Sequence, residues 1–403
     1  MKHIVFVIGN YKNGGVAMHS TNLANAFAKN GYKVTLLVTR EISADVYFNL
    51  ENNVEVVLLS DYVRAHCEEK EVSEYLLKRK KTIRNIKRFR YITAFFKGLD
   101  NILAEKVRGI RISEALSVYA VKNKDAVYIP FGVSYYEATY YAVKPFGSKI
   151  IYAERNAPEL EYPEDVQKKE KLISLVSFAD GVVLQTETEK DFYKGVLKNA
   201  VVINNPIKSD LPERFAGERR KVIVNFCRVS KQKNLPLLFD AMVKLHKEYP
   251  EYLLEIYGNT VEKQEEELCE EYRQYIKDIS ADSYIKILPP SGEIHSIVRD
   301  CAMFVSSSDF EGLSNSMIEA LAIGLPCVCT DCLGGGAREL ITDGENGLLV
   351  PMQDPESLYL AIKRFIEDSA LSEKCSQNAV KVRDTHSAEK IAGKWLRYIE
   401  SVI

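Results

Sequence analysis

The chain has 403 residues, 46% hydrophobic and 27% charged, with a formal net charge of −2. That length is enough for two domains with their own cores, and the near-neutral balance disfavours a protein held mainly on nucleic acid. No apolar run approaches the roughly 20 residues of a membrane-spanning helix, and the eight scattered cysteines are expected as free, buried thiols of a soluble protein in a reducing compartment.

In chain order, residues 3–8 read as a buried β-strand rather than the centre of a signal peptide. Gly9-Asn-Tyr-Lys-Asn-Gly14-Gly15 follows, then a helix to about Lys29 and a strand at 31–38. Such a βαβ unit implies parallel strands joined by a right-handed crossover. Gly14 and Gly15 either let backbone approach a ligand closely or make a plain tight turn. Their spacing matches neither the dinucleotide fingerprint nor a P-loop, which disfavours NAD and ATP.

Further strands are expected at 54–59, 126–130, 149–153 and 181–185, and the first half closes on a strand and turn at 201–207. Between them, residues 75–96 mix Lys78, Arg79, Lys80, Lys81, Arg84, Lys87, Arg88 and Arg90 with Leu76, Leu77, Ile83, Ile86 and Phe89. A helix lying on an anionic membrane and a core helix with a solvated basic face both fit. A nucleic-acid contact is the third reading, disfavoured because the basic character is confined to this segment.

Residues 208–220 are polar, contain proline and glycine, lack periodicity and read as a linker. The second half starts again with a strand at 221–228 and a helix from about 234 to 249, with later strands at 252–257, 284–288, 303–306, 327–330 and 347–350. Two strand–helix alternations argue for an α/β chain of two Rossmann-like domains, 1–207 and 208–387, facing across a cleft. The final helix, within 388–403, carries Ile391, Trp395, Leu396 and Ile399 on one face and is expected to pack back on the first half. Open parallel sheets bind ligands at the carboxyl ends of their strands. In the second domain, Arg228, Gly258, Leu288, residues 307–311 and Asp331 fall there.

Arg228-Val-Ser-Lys-Gln-Lys233-Asn234 joins a strand to a helix, as a solvated basic turn or as cations that neutralise a diphosphate. Asp309-Phe-Glu311-Gly312-Leu313-Ser314-Asn315-Ser316-Met-Ile-Glu319 places two acids eight residues apart, one in a loop and one in a helix capped by Ser314 or Asn315 and running to about Ile323. The first amides of that helix carry the positive end of its dipole and suit phosphate oxygens. Glu311 reaches hydroxyls on one side of such a phosphate and Glu319 on the other. Alone, the acids also fit ordinary surface carboxylates near a helix start; with Arg228 and Lys233 as counter-charges, the layout fits a nucleotide-sugar. No Asp-x-Asp occurs, which argues for a donor site without metal. Cys327-x-Cys329-x-x-Cys332 fits alternating strand positions better than zinc spacing.

The second half resembles glycosyltransferase family 4 of the GT-B fold, retaining transferases that use nucleotide-sugars. The resemblance rests on the Arg228 to Asn234 segment, Tyr257-Gly258, the Glu311-x7-Glu319 block, Gly324-Leu-Pro326, and Thr330-Asp-Cys-Leu-Gly-Gly-Gly-Ala-Arg338-Glu339 with Gly344-Glu-Asn-Gly347. It is looser in the first half, through Gly14-Gly15, Ala179-Asp180 and Asn205-Pro206. It implies that Arg228 and Lys233 bind the donor diphosphate and share the catalytic work with Glu311, which contacts the sugar. It implies backbone amides from Gly312, Leu313, Ser314, Asn315 and Ser316, ribose hydroxyls on Glu319, the base near Ile287 and Leu288, and Gly14 and Gly15 facing the donor.

The resemblance further implies no cofactor beyond the substrate, a UDP-sugar as the commoner donor, and transfer of a hexose or N-acetylhexosamine to a lipid-linked glycan in cell-surface polysaccharide synthesis. The enzyme is then cytoplasmic, with the first domain and its 75–96 segment against the inner face of the cell membrane, and without a nucleic-acid partner. The alternatives are a non-transferring relative such as a nucleotide-sugar epimerase, or a membrane- or nucleic-acid-binding module with a vestigial site. Many members of the family carry a first-domain histidine that is missing from Ile151-Tyr-Ala-Glu154-Arg155-Asn156-Ala-Pro158, where Glu154, Arg155 or Asn156 stands in its place.

Overall fold

The computed structural model describes residues 2–12, 15–43, 46, 49–72, 74–75, 112–193, 195–259 and 263–403. Among these residues, β1 (His3–Tyr11), β2 (Lys33–Ile42), β3 (Val54–Leu58), β4 (Val127–Pro130), β5 (Lys149–Ala153), β6 (Gly181–Leu184) and β7 (Ala200–Val202) form one parallel sheet in the order β3-β2-β1-β4-β5-β6-β7. A second parallel sheet holds β8 (Arg220–Arg228), β9 (Leu253–Asn259), β10 (Ile285–Leu288), β11 (Cys301–Ser306), β12 (Cys327–Thr330) and β13 (Leu348–Val350), ordered β10-β9-β8-β11-β12-β13. Both orders reverse beside the first strand of the domain, opening a crevice at the carboxyl ends of β1 and β4 in one and of β8 and β11 in the other.

The near-continuous apolar runs follow from burial on both faces of each sheet. In β1, Ile4, Phe6 and Ile8 enter one core while Val5 and Val7 enter the opposite one. In β8, Ile223 faces one side and Val222, Val224 and Phe226 the other. The Ala388–Val402 helix returns to the first domain, where Ile391, Trp395 and Ile399 share a core with Phe6, Leu23 and Phe27. Tyr398 Oη accepts from Val182 N at 2.7 Å and Tyr32 Oη donates to Glu400 Oε1 at 3.0 Å, which ties the helix to β6 and to the turn before β2. The expected two-domain α/β architecture, with its final helix on the first half, is therefore present.

The 208–220 connection is anchored rather than loose. Arg219 donates to the carbonyls of Arg299 and Cys301 at 3.0 Å and of Gly324 at 2.8 Å, and Leu211 is buried in the second domain. The helix expected from about 234 to 249 begins at Leu235 and ends at His246, three residues short of the expected end. Residues Lys231–Lys233 form a 3-10 turn and Asn234 adopts a left-handed φ of 40°, so the α-helix runs Leu235–His246. Asn234 is held in that conformation by Nδ2 donating to Asp309 Oδ1 at 2.9 Å.

Candidate active site

The loop between β11 and the Asn315–Ala322 helix is set by backbone contacts on both sides. Asp309 N donates to Gln232 O at 3.0 Å, Gln232 Nε2 donates to Phe310 O at 2.8 Å, and Glu311 N donates to Leu333 O at 2.9 Å. The glycine run after β12 explains itself here. A Cβ on Gly334 would overlap the Glu311 carbonyl oxygen, and one on Gly336 the Gly312 carbonyl oxygen. Gly334 and Gly335 also have φ of +87° and +73°, in the left-handed region open to glycine.

This packing brings Lys233 Nζ onto Glu311 Oε1 as an ion pair whose side chains are each 13% exposed. Ser308 Oγ donates to the same carboxylate oxygen at 3.1 Å, and Ser307 Oγ to the Lys233 carbonyl at 2.9 Å. Burial alone would pull the Lys233 ammonium down, but Glu311 opposite it more than offsets this and leaves the pKa above its ordinary value. The lysine therefore stays charged at neutral pH.

Arg228 Nε lies 3.4 Å from Glu265 Oε1 on the Lys263–Asp278 helix. Each of the two cations expected to face a diphosphate is thus opposed by a carboxylate of the protein. Glu265 is far from Arg228 in sequence, and no local signal announces it. Arg228 is half exposed and turned toward solvent, whereas Lys233 is enclosed.

Glu319 lies one turn into the helix and is buried, with His295 Nε2 2.8 Å from its Oε2. His295, from the short Ile294–Val298 helix, packs edge-on against Phe226 at 5.8 Å. Sequence reasoning missed this partner, whose only signal is a histidine on an apolar helix face. The helix begins at Asn315 with Ser314 as N-cap, but no side chain caps it. The expected capping bond is absent, and Ser314 Oγ lies 3.5 Å from Ser316 Oγ. Leu288 ends β10 and pairs with Tyr257, itself paired with Phe226, two strands from β8 on the same edge of the sheet.

From the first domain, Gly15 approaches this helix closely enough that a Cβ there would stand 3.2 Å from Asn315 Nδ2. Gly14 lies outside the described residues, as do 76–96 of the basic segment. Gly312 is pressed against the first domain: a Cβ on it would overlap Gln185 Oε1 and stand 3.3 Å from the Asn156 Cα.

Glu154, Arg155 and Asn156 point to three different places. The Glu154 carboxylate accepts from Tyr152 Oη at 2.5 Å, Tyr193 Oη at 3.1 Å and Arg155 N at 3.0 Å, and burial pushes its pKa up to about 7. The Arg155 guanidinium lies over the rings of Phe131 at 4.4 Å and Trp395 at 5.4 Å, and burial lowers its pKa to about 10. Asn156 Nδ2 donates to Glu161 Oε1 at 3.0 Å on the exposed side. A histidine does stand beside Arg155, but it is His19 from the Gly15–Lys29 helix. Burial, aided by the Arg155 charge, holds its imidazole well below the ordinary pKa and therefore neutral.

Residues 208–382 match the family model described as Glycosyl transferases group 1. A Campylobacter jejuni N-acetylgalactosamine-N,N'-diacetylbacillosaminyl-diphospho-undecaprenol 4-alpha-N-acetylgalactosaminyltransferase is 32% identical over 205 residues, 51% of this chain and 53% of that protein. The chain thus spans about half the length of this relative. Two solved structures align over the whole fold. TarM gives a TM-score of 0.73 at 14% identity, over 99% of this chain and 98% of its own. Anabaena Alr3699/HepE, in complex with UDP and glucose, gives 0.73 at 15% identity, over 100% of both chains. These likenesses establish the fold, the GT-B architecture expected from the resemblance.

Proposed function

We propose that the protein is a retaining glycosyltransferase of family 4 that moves a hexosyl or N-acetylhexosaminyl group from a UDP-sugar to a lipid-linked glycan in cell-surface polysaccharide synthesis. The observation that carries this reading is the convergence of Arg228, the Lys233–Glu311 pair and the start of the Asn315–Ala322 helix on one sheet edge, facing Gly15 of the other domain. A diphosphate leaving the sugar gains negative charge. Fixed cations and helix amides meet that charge without reorganising, which lowers the barrier.

In this reading Glu311, fixed by Lys233 and Ser308, receives sugar hydroxyls, and Glu319, fixed by His295, receives the ribose. The family model over 208–382 supports the donor half of the reading. UDP and glucose in the Anabaena structure support the donor class, and the undecaprenol-linked substrate in the name of the Campylobacter relative supports the acceptor class. No helix of the described residues is long and apolar enough to cross a membrane. We place the enzyme in the cytoplasm, reaching the inner membrane face through its basic 75–96 segment.

The test is release of UDP from a panel of UDP-sugars, first without acceptor and then with extracted lipid-linked glycans. Slow release without acceptor, lost in Lys233→Ala and Glu311→Ala, is expected; full turnover in either variant would overturn the site assignment. Turnover of GDP- or ADP-sugars alone would overturn the donor. The anomeric configuration of the product, read by NMR, decides retention. Flotation with anionic liposomes that is unchanged after charge reversal at Lys78 to Lys81 would remove the membrane contact.

A further inference from the structure

We infer that the first domain sets the orientation of the Asn315 side-chain amide through Arg155 and Asn205, making that amide a hydrogen-bond donor to the diphosphate. This rests on the donor-site reading above and adds three side chains to it. Asn205 is 4% exposed and sits where the chain leaves the first domain.

A guanidinium has N–H donors and no acceptor, whereas an Asn amide offers a carbonyl on one side and an NH2 on the other. Arg155 is fixed between Phe131 and Trp395, and its Nη1 lies 3.4 Å from Asn205 Oδ1. Gln185 Nε2 donates to the same oxygen at 2.7 Å. With these donors on one side, Asn205 must turn its carbonyl toward them and its NH2 away. That NH2 divides its two hydrogens between Leu313 O at 3.1 Å and Asn315 Oδ1 at 3.0 Å.

The consequence passes one residue further. Because the Asn315 carbonyl is taken by Asn205, its Nδ2 is the end turned toward Gly15, whose missing side chain leaves room. Asn315 opens the helix whose amides already favour an anion, so an NH2 there adds a donor, while a reversed amide would set an oxygen against phosphate. Arg155 is the member of this chain that cannot reverse. It dictates the order through Asn205.

The test is UDP binding by calorimetry to the full chain as wild type, Asn205→Asp, Asn315→Ala and the double variant. The introduced carboxylate would still accept from Arg155 and Gln185 but could not donate, so it would draw the Asn315 NH2 toward itself and turn the Asn315 oxygen to the cleft. Affinity should fall roughly tenfold or more in Asn205→Asp, and by roughly three- to tenfold in Asn315→Ala, which loses one hydrogen bond. In the double variant the penalty of Asn205→Asp should vanish, leaving the affinity of Asn315→Ala.

A merely structural role for Asn205 would lower the melting temperature equally in both backgrounds and keep its penalty without the Asn315 side chain; that result overturns the inference. So does wild-type affinity in Asn205→Asp. If the aspartate variant does not fold, Asn205→Ala carries the same comparison. A wild-type chain that binds no UDP brings down the donor-site reading and this inference with it, an outcome distinct from loss of the coupling alone.

Discussion

His295 Nε2 stands 2.8 Å from Glu319 Oε2 with both side chains at or below 10% exposure, so the acid of the Asn315–Ala322 helix is held by a residue 24 positions earlier. A buried carboxylate without its partner bears its full desolvation cost. His295→Ala should therefore cost about 1–3 kcal/mol by urea denaturation and raise KM for the nucleotide-sugar more than it lowers kcat. His295→Gln, which can still donate, should recover most of both. Equal kinetics in His295→Ala would mean that Glu319 needs no positioning.

Lys233 and Glu311 should be separable from a simple stability role by a double-mutant cycle. Breaking an enclosed pair strands one charge, so each single change, Lys233→Met or Glu311→Gln, should cost about 3 kcal/mol, and the double change less than the sum. The pH dependence has a defined sign. Lys233 lies above its ordinary value, so the stability it contributes is complete below the unfolded lysine pKa of about 10.4 and is lost as pH rises through the higher folded value. The difference between wild type and Lys233→Met in chemical denaturation should stay flat from neutral pH and shrink only in strong alkali.

Gly334 tests whether the glycine run positions the loop that carries Glu311. Gly334→Ala adds both a left-handed φ and an overlap with the Glu311 carbonyl, and should cost about 1–3 kcal/mol. UDP release should fall at least tenfold, to the extent that Glu311 moves. Gly344 is the control: its φ is +71° but a Cβ there meets nothing within 4 Å. Gly344→Ala should bear the backbone strain and keep turnover. Equal losses in the two variants would assign the effect to strain.

His386 should make the domain crossing acid-sensitive. Its Nε2 lies 3.3 Å from Asn204 Oδ1 and its carbonyl accepts from Ile207 N at 2.9 Å, joining the two strands of chain that pass between domains. Burial, with Lys394 nearby, lowers its pKa from 6.5 to about 4. The unfolded histidine binds a proton first, so stability is complete above about pH 6.5 and declines as pH falls toward 4, by at most about 3 kcal/mol. His386→Gln should lose less stability than wild type between pH 7.5 and 4.5 in urea denaturation. Parallel losses would place the acid sensitivity elsewhere.

Nearly every strand is legible in the amino-acid pattern, because a parallel sheet covered on both faces demands short apolar runs and leaves its polar residues at the strand ends. That is why the pattern places Arg228 and Glu311 at one edge of the second sheet and Glu319 in the helix that follows. What those residues touch is set by the packing of distant elements. Glu265 opposes Arg228, His295 holds Glu319, and Asn205 reaches Asn315 from the other domain, each across a separation that no local period encodes. Hydrophobic periodicity reports which face of an element is buried; the direction of an amide, or the partner of a buried charge, follows from how separate elements stack. For the same reason nothing in the 151–158 segment announces that Arg155 has a histidine beside it. His19 arrives beside Arg155 on the Gly15–Lys29 helix, brought there by the packing of that helix on β1 and β2.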